Sequence, residues 1–479
     1  MLVVLRLLNR ILRFFADLVY SIKRINLNKK YEMIFYPFET TQCVFFYFFM
    51  GIKNSKNFAI LKQSEIYKNF DKNNNKYLAL SKKLENKNID EVFNFIVKNK
   101  IFPKIISISI LDTLIRISNF QTIIKKKKIS KNLLFNIFSK VELAEKLSRI
   151  AEKHFITDSS YVFNTSLKYY TKKNKKKIFY LNYNGFFFEY LNSHHTEKWI
   201  NNHDLKEIKS YKLNNKKIMK NVNDYIDDYF SNENQRLLFN LKLKKTRNNK
   251  NNKIYHRKKI LYLHCFTDNN NGTYKGNIIF YKYLDWVEAA LKLISKNYSD
   301  WYIKIHPSSI FYHNDKKILN YLILKYKIPQ FVFNTPSHYE ILSKKMPIFT
   351  ASGTIALETA SKGYKTFVYK LRYFDGISIF IKNLKKFKKY YTMKIEDIDK
   401  INIMSKKNTQ LAKISLYHIN NKNLFKELKS HNYQMPMVAK DKKMFNDWII
   451  RNFKSSLESI IRYSIIKKNY VIDNVIQKN

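Results

Sequence analysis

The stretch PIFTASGTIALETASKG, from Pro347 to Gly363, gathers residue types that can hold an anion. Two of the chain's seven glycines fall inside it. A strand-like PIFTA gives way within SGT to a helix-like TIALETASK. Ser352 is the natural N-cap of that helix. Gly353 has no side chain, so a ligand can approach the backbone closely. The open N–H groups and the dipole of a helix start favour negative charge. Thr354 adds a hydroxyl. Glu358 lies one turn on along the same face. Its carboxylate cannot help a phosphate, but it can accept hydrogen bonds from ribose hydroxyls. Gly363 is placed to end the helix in the left-handed conformation. An ordinary strand–turn–helix with a serine cap fits the same residues, and both readings stay open at this point.

Two further clusters carry similar chemistry. In KIHPSS (Lys304 to Ser309), His306 follows a strand-like WYIKI and Pro307 forces a turn. Lys304 and His306 suit contacts to a phosphate or a nucleobase, although a lone histidine serves equally well in packing. This strand end is expected to neighbour the glycine turn. In LHCFTDNNNGTYKGN (Leu263 to Asn277) stand His264, Asp268, two glycines and many amides. That loop reads either as a lid over a donor or as a solvated surface loop. No Walker pattern, GxGxxG, HExxH or GxSxG occurs, so ATPase, dehydrogenase, zinc-protease and α/β-hydrolase readings lack support.

The elements that must position these residues alternate. ILYLHCF, WYIKI, FVF (Phe331 to Phe333), PIFTA and KTFVYK read as strands. Between them IFYKYLDWVEAALKLISKN, DKKILNYLILKYK, HYEILSKK and TIALETASK read as helices. The first of these helices carries Phe280, Leu284, Val287, Leu291 and Ile294 on one face. Strands alternating with crossover helices mean a parallel, doubly wound sheet, which binds ligands at the carboxyl ends of its strands. Upstream, KVELAEKLSRIAEKHF reads as a helix ending near His154. KKIFYLNYNGFFFEY reads as a strand and then a loop around Gly185. The expected organisation is an amphipathic N-terminal helix (1–30), an α/β domain (31–241), a basic linker (242–259), a second α/β domain (260–435) and a C-terminal helical segment (436–479).

Lysine and arginine total 89 against 37 acids, a formal charge of +52. Charge of that size points to anionic partners: phosphorylated substrates, anionic lipid or nucleic acid. Lysine is spread through every linker rather than gathered in one segment, which speaks for compositional bias over a nucleic-acid surface. A basic nucleic-acid-binding protein nevertheless stands as the alternative from a different class. Two cysteines, Cys43 and Cys265, give neither a disulfide framework nor a zinc site, and a reducing cytoplasm is expected. The N-terminal MLVVLRLLNRILRFFADLVYSIKR puts Arg6, Asn9, Arg10, Arg13, Asp17, Ser21 and Arg24 on one stripe. It is too charged to span a bilayer. It fits an interfacial helix or a helix packed on its own domain. CVFFYFFMG (Cys43 to Gly51) is too short to span and reads as a buried strand or patch. KKMFNDWIIRNFKSSLESIIRY (Lys442 to Tyr463) reads as an amphipathic helix.

In order along the chain, HCFTD, a DW helix (Asp285, Trp286), WYIKIHPS, FTASGTIALETASKGYKTF and YFDG together resemble the capsule polysaccharide biosynthesis family, which includes Kdo transferases. The resemblance covers Leu261 to Gly376. It implies a GT-B-like fold, with two Rossmann-like α/β domains facing a cleft. It also implies a glycosyltransferase that passes a sugar, Kdo or a related acidic sugar, from a CMP donor to a saccharide or lipid-linked acceptor. His306, with His264 and Lys304 beside it, would then meet the donor nucleotide. Ser352, Gly353 and Thr354 would meet phosphate oxygens, and Glu358 the ribose. Tyr373 to Gly376 would lie near the donor sugar. The Gly-rich acceptor-side motif common in that family has no counterpart; TDSSYVFNTSLKYY (Thr157 to Tyr170) contains no glycine. Asp158 and Glu189 are the candidate bases, with Asp268 a third catalytic carboxylate. No DxD-type metal signature stands out, so neither a metal nor another cofactor is expected. The protein is expected on the inner face of the cytoplasmic membrane, held by basic charge and the N-terminal helix. Within the same fold, a nucleotide-sugar epimerase or a polyol-phosphate transferase is the alternative.

Overall fold

The computed structural model describes residues 14, 24–36, 57–61, 75–156, 161–181, 187–189, 216–231, 256–266, 279–305, 314–336, 338–351, 353–370, 378–401 and 406–420. The chain divides into two compact units, Met1–Thr196 with Lys429–Asn479, and Glu197–Leu428. Of the N-terminal helix expected over 1–30 only residues 14 and 24–30 are described, and 24–30 are not helical: Arg24 bridges to Ile60 and a turn follows. The CVFFYFFMG run and the C-terminal helix expected over 442–463 lie outside the described residues. Among those that are described, no helix is long and apolar enough to cross a membrane.

The first unit opens with β1 (Tyr31–Tyr36) and β2 (Phe58–Ile60). A run of helices follows: α1 (Asn75–Leu84), α2 (Ile89–Lys98), α3 (Lys104–Ile117), α4 (Phe120–Ile124) and α5 (Lys131–Ile150). Then come β3 (Ala151–Ile156), α6 (Val162–Lys173), β4 (Lys177–Leu181) and β5 (Phe187–Glu189). The sheet order is β2-β1-β3-β4-β5, parallel except for the antiparallel β4–β5 pair. Local sequence explains the helix starts. Asn88 accepts from the backbone N–H of Asp90 and Glu91, while its own N–H donates to Glu91 Oε2 at 2.7 Å. That reciprocal pair satisfies donors the first turn leaves open. Behind it Ile89, Val92, Phe93 and Ile96 form the buried stripe of α2.

The expected helix over Lys140 to Phe155 is corrected. Helix α5 stops at Ile150, and Ala151–Ile156 form β3 with no intervening turn. The cause is tertiary: β3 pairs with β1 on one side and β4 on the other, His154 standing opposite Ile34 and Ile178. His154 is fully buried, and its Nδ1 shares a 2.9 Å hydrogen bond with the Tyr36 hydroxyl.

The second unit contains α7 (Lys216–Ser231), β6 (Lys259–Leu263), α8 (Tyr283–Ile294), β7 (Trp301–Ile305), α9 (Asp315–Tyr326) and α10 (His338–Ser343). It continues with β8 (Ile348–Thr350), α11 (Thr354–Ser361), β9 (Thr366–Val368), β10 (Ile379–Phe380), α12 (Leu384–Thr392), α13 (Ile395–Lys400) and α14 (Lys406–Asn420). The order is β10-β9-β8-β6-β7, and every pair is parallel. On one face Tyr391 of α12 stacks on Trp301 at 5.5 Å and meets Phe349 edge-on at 4.8 Å. On the other, Ile260, Tyr262, Tyr302 and Ile348 pack with Ile341 of α10 and Ile355 of α11. Helices thus cover both faces, as the alternation of the sequence demands. Helix α7, from the segment assigned by sequence to the first domain, packs on α14, where Lys413 Nζ donates to Asn223 Oδ1 at 2.8 Å.

Three local readings change. Phe331–Phe333, expected as a strand, lie in a 3-10 turn, Gln330–Phe333, packed against β7. Phe280 precedes α8 rather than lying on it; its ring meets Tyr369 and Phe387. The N-cap of α11 is Gly353, not Ser352.

Candidate functional site

Chain order turns around at the middle of the second sheet. From β6 the chain adds β7 on one side, then crosses back to place β8 on the other. The carboxyl ends of β6 and β8 therefore flank the topological switch point. In doubly wound sheets ligands bind at such a point.

His264 is the first residue past β6. Its backbone N–H donates to the buried Tyr283 hydroxyl at 2.6 Å. Burial pushes the Tyr283 phenol well above its ordinary range, so it stays neutral. The imidazole Nε2 shares a 3.0 Å hydrogen bond with Thr350 Oγ1, at the end of β8. The ring also lies against Gly353: a Cβ at that position would stand 2.7 Å from Cε1 and 3.2 Å from Nε2. Gly353 has φ 124° and ψ 173°, a conformation that belongs essentially to glycine. Glycine is thus required twice, by the backbone and by the imidazole. As the N-cap, Gly353 brings no side chain to the first N–H groups of α11, which start beside the histidine; the Ala356 N–H donates to Gly353 O at 3.1 Å. At its far end Gly363, φ 75°, closes the helix, with Tyr364 N–H on Thr359 O at 2.8 Å.

A second tie joins the exits of β6 and β7. The carboxylate Oδ2 of Asp315, first residue of α9, accepts the backbone N–H of Phe266 at 3.0 Å. Asp315 is almost fully buried. The loop leaving β6 is therefore held by the helix that follows the loop leaving β7.

The expected site residues fall as follows. His264 and Gly353 come together at the switch point. Glu358 is buried one turn into α11. Thr354 opens that helix. Lys304 is half-buried near the end of β7, with Nζ donating to Pro336 O at 2.8 Å. Glu189 ends β5 in the first unit. Asp158, Asp268, His306, Ser352 and Tyr373 lie outside the described residues. One adjacency is corrected: β7, which leads to His306, does not neighbour β8, because β6 stands between them. The strand adjoining the glycine turn is β6, and its histidine is His264. Thr350, Tyr283 and Asp315 were not singled out by the sequence. Only Thr350, in the strand that runs into the glycine turn, carries a signal that would have marked it.

No family model matches the chain, and no curated protein matches it. Among solved structures, the chain is similar to UDP-GlcNAc 2-epimerase from Neisseria meningitidis, solved bound to UDP-GlcNAc. The identity is 10% over 82% of this chain and 98% of that one, with a TM-score of 0.25. A likeness that slight carries no argument about fold or chemistry.

Proposed function

We propose that the second unit binds a nucleotide-activated sugar at its switch point and that the protein is a GT-B-type glycosyltransferase. One observation carries the reading: an imidazole, a strand-end hydroxyl and a glycine-started helix meet at the carboxyl ends of β6 and β8. Those groups suit the phosphate of a donor. In the reaction the bond between the anomeric carbon and the phosphate oxygen breaks, and an acceptor hydroxyl oxygen bonds to that carbon. The acceptor proton passes to a carboxylate, for which Asp158, Glu189 and Asp268 are the candidates. The negative charge left on phosphate is met by the N-terminus of α11 and by His264. The choice of a CMP-linked acidic sugar of the Kdo type, and of a saccharide or lipid-linked acceptor at a membrane face, follows the capsule-family resemblance over 261–376.

A thermal-shift series with CMP-, UDP-, GDP- and dTDP-linked sugars tests the binding step. The CMP compounds are expected to raise Tm most, and His264→Ala is expected to abolish the rise. Absence of any shift with all four would overturn the reading. Product formed from donor alone, with no acceptor, would replace the transferase with an epimerase.

A further inference from the structure

Most lysines of the second unit that lie near a carboxylate or carbonyl are tied to it. Lys304, Lys325, Lys362, Lys365, Lys400 and Lys413 each hold an oxygen of a neighbouring residue. Helix α12 differs. Lys382, just before it, and Lys385, Lys386, Lys388 and Lys389 on it are all exposed, and among the described residues none makes an ion pair. On a helical projection the four on α12 span the half opposite the buried Phe387 and Tyr391. Leu384 begins the opposite, apolar stripe with Phe387 and Tyr391 and is 53% exposed.

This arrangement breaks two local rules at once. Lys385 and Lys386 stand in the first turn, which holds no acid, against the helix dipole. The pairs Lys385–Lys388, Lys385–Lys389 and Lys386–Lys389 repel at spacings of three and four. Local rules broken together mark a place kept for something other than stability.

We propose that the outer face of α12 docks the protein on an anionic lipid bilayer, with its lysines at the headgroups. Nucleic acid fits less well. The outer half of the helix has no arginine to fork onto phosphate or guanine and no exposed ring on which a base can stack. The placement also suits a bilayer. Phe387 meets Phe280 at 5.3 Å, and Phe280 meets Tyr369 just past β9. Helix α12 thus begins at the carboxyl edge of the sheet, the edge that holds His264. The lysines of its first turn, Lys385 and Lys386, therefore stand near that edge.

The test is co-sedimentation of the full chain with phosphatidylcholine vesicles, with and without phosphatidylserine. The variant K385Q/K386Q/K389Q is set against K292Q/K296Q/K317Q, which removes the same charge from exposed positions on α8, α9 and the segment after α8. The α12 variant is expected to lose about 100-fold in partitioning to serine-containing vesicles, roughly fivefold per lysine. The control is expected to lose no more than a few-fold. Equal losses in the two triple variants, or none in the first, would overturn the proposal. So would a loss of duplex-DNA binding by the α12 variant with vesicle binding intact. The assay contains no nucleotide, so its failure leaves the reading of the switch point untouched.

Discussion

At the scale of single residues, the site turns on one glycine and one histidine. Gly353→Ala must adopt φ 124° with a side chain and must also displace the His264 ring. The backbone part alone costs about 1–3 kcal/mol. The steric part disappears when the ring is removed. Urea unfolding of Gly353→Ala, His264→Ala and the double variant should therefore give a coupling energy of at least ~0.5 kcal/mol, with the double variant less destabilised than the sum of the singles. Strict additivity would mean that the ring does not press on residue 353. The glycine was legible in the sequence because its chemistry is local: SGT between a strand and a helix has few uses. Its partner was not. Strand order decides which imidazole adjoins the turn, and a sequence of alternating strands and helices does not state where the sheet reverses. His306 and His264 each follow a strand, and only the crossover back to β8 separates them.

At the scale of an element, β3 shows how tertiary pairing overrides periodicity. From Leu147 the buried positions Ala151, His154 and Phe155 continue at helical spacing, and no glycine or proline interrupts them. Two parallel neighbours nevertheless draw the segment into the sheet. The consequence is a histidine in an apolar layer with Ile34, Ile156, Ile178 and Phe163 around it. Burial lowers its pKa to about 3, with the Lys176 charge acting the same way. Its Nε2 has no hydrogen-bond partner. The unfolded chain, titrating near 6.5, binds the proton that the folded chain refuses. The contribution is therefore complete above about pH 6.5 and is lost as pH falls toward 3, at about 1.4 kcal/mol per pH unit. In His154→Gln this dependence vanishes. The stability gap between wild type and variant should narrow by about 2 kcal/mol from pH 7 to pH 5. A constant gap would show that the histidine is not held neutral. The other elements of the second unit were more legible, because their hydrophobic stripes and strand runs are separated by polar turns.

At the scale of the whole molecule, 37 acids cannot pair 89 bases. Pairs such as Arg257 with Asp399, whose two nitrogens grip both carboxylate oxygens at 2.6 and 2.7 Å, are exceptions on a surface of unopposed lysine. That guanidinium holds the Asp399 carboxyl below its ordinary range. Exposed pairs contribute about 0–1 kcal/mol each and weaken in salt. Repulsion among the surplus lysines weakens too, and it is the larger sum. Melting temperature should accordingly rise as sodium chloride goes from about 0.01 M to about 0.15 M, over which the screening length falls from ~30 Å to ~8 Å. A fall would mean that the pairs outweigh the surplus. The net charge was plain from composition. Its concentration on the outer half of α12 was not, because the same residues spaced along a loop would read alike.

The short 3-10 turn lying against β7 has a last consequence. An outermost strand left bare is a template on which stray extended chains can grow, and dense lysine does not always deter them. Here Val332 is driven into the interior and Lys304 is fastened to Pro336, so irregular backbone crowds the place where a visitor would align. Had Phe331 to Phe333 extended as their composition invites, the sheet would have gained a fresh border of its own. By curling instead, three β-prone residues become a stopper against fibrous self-association.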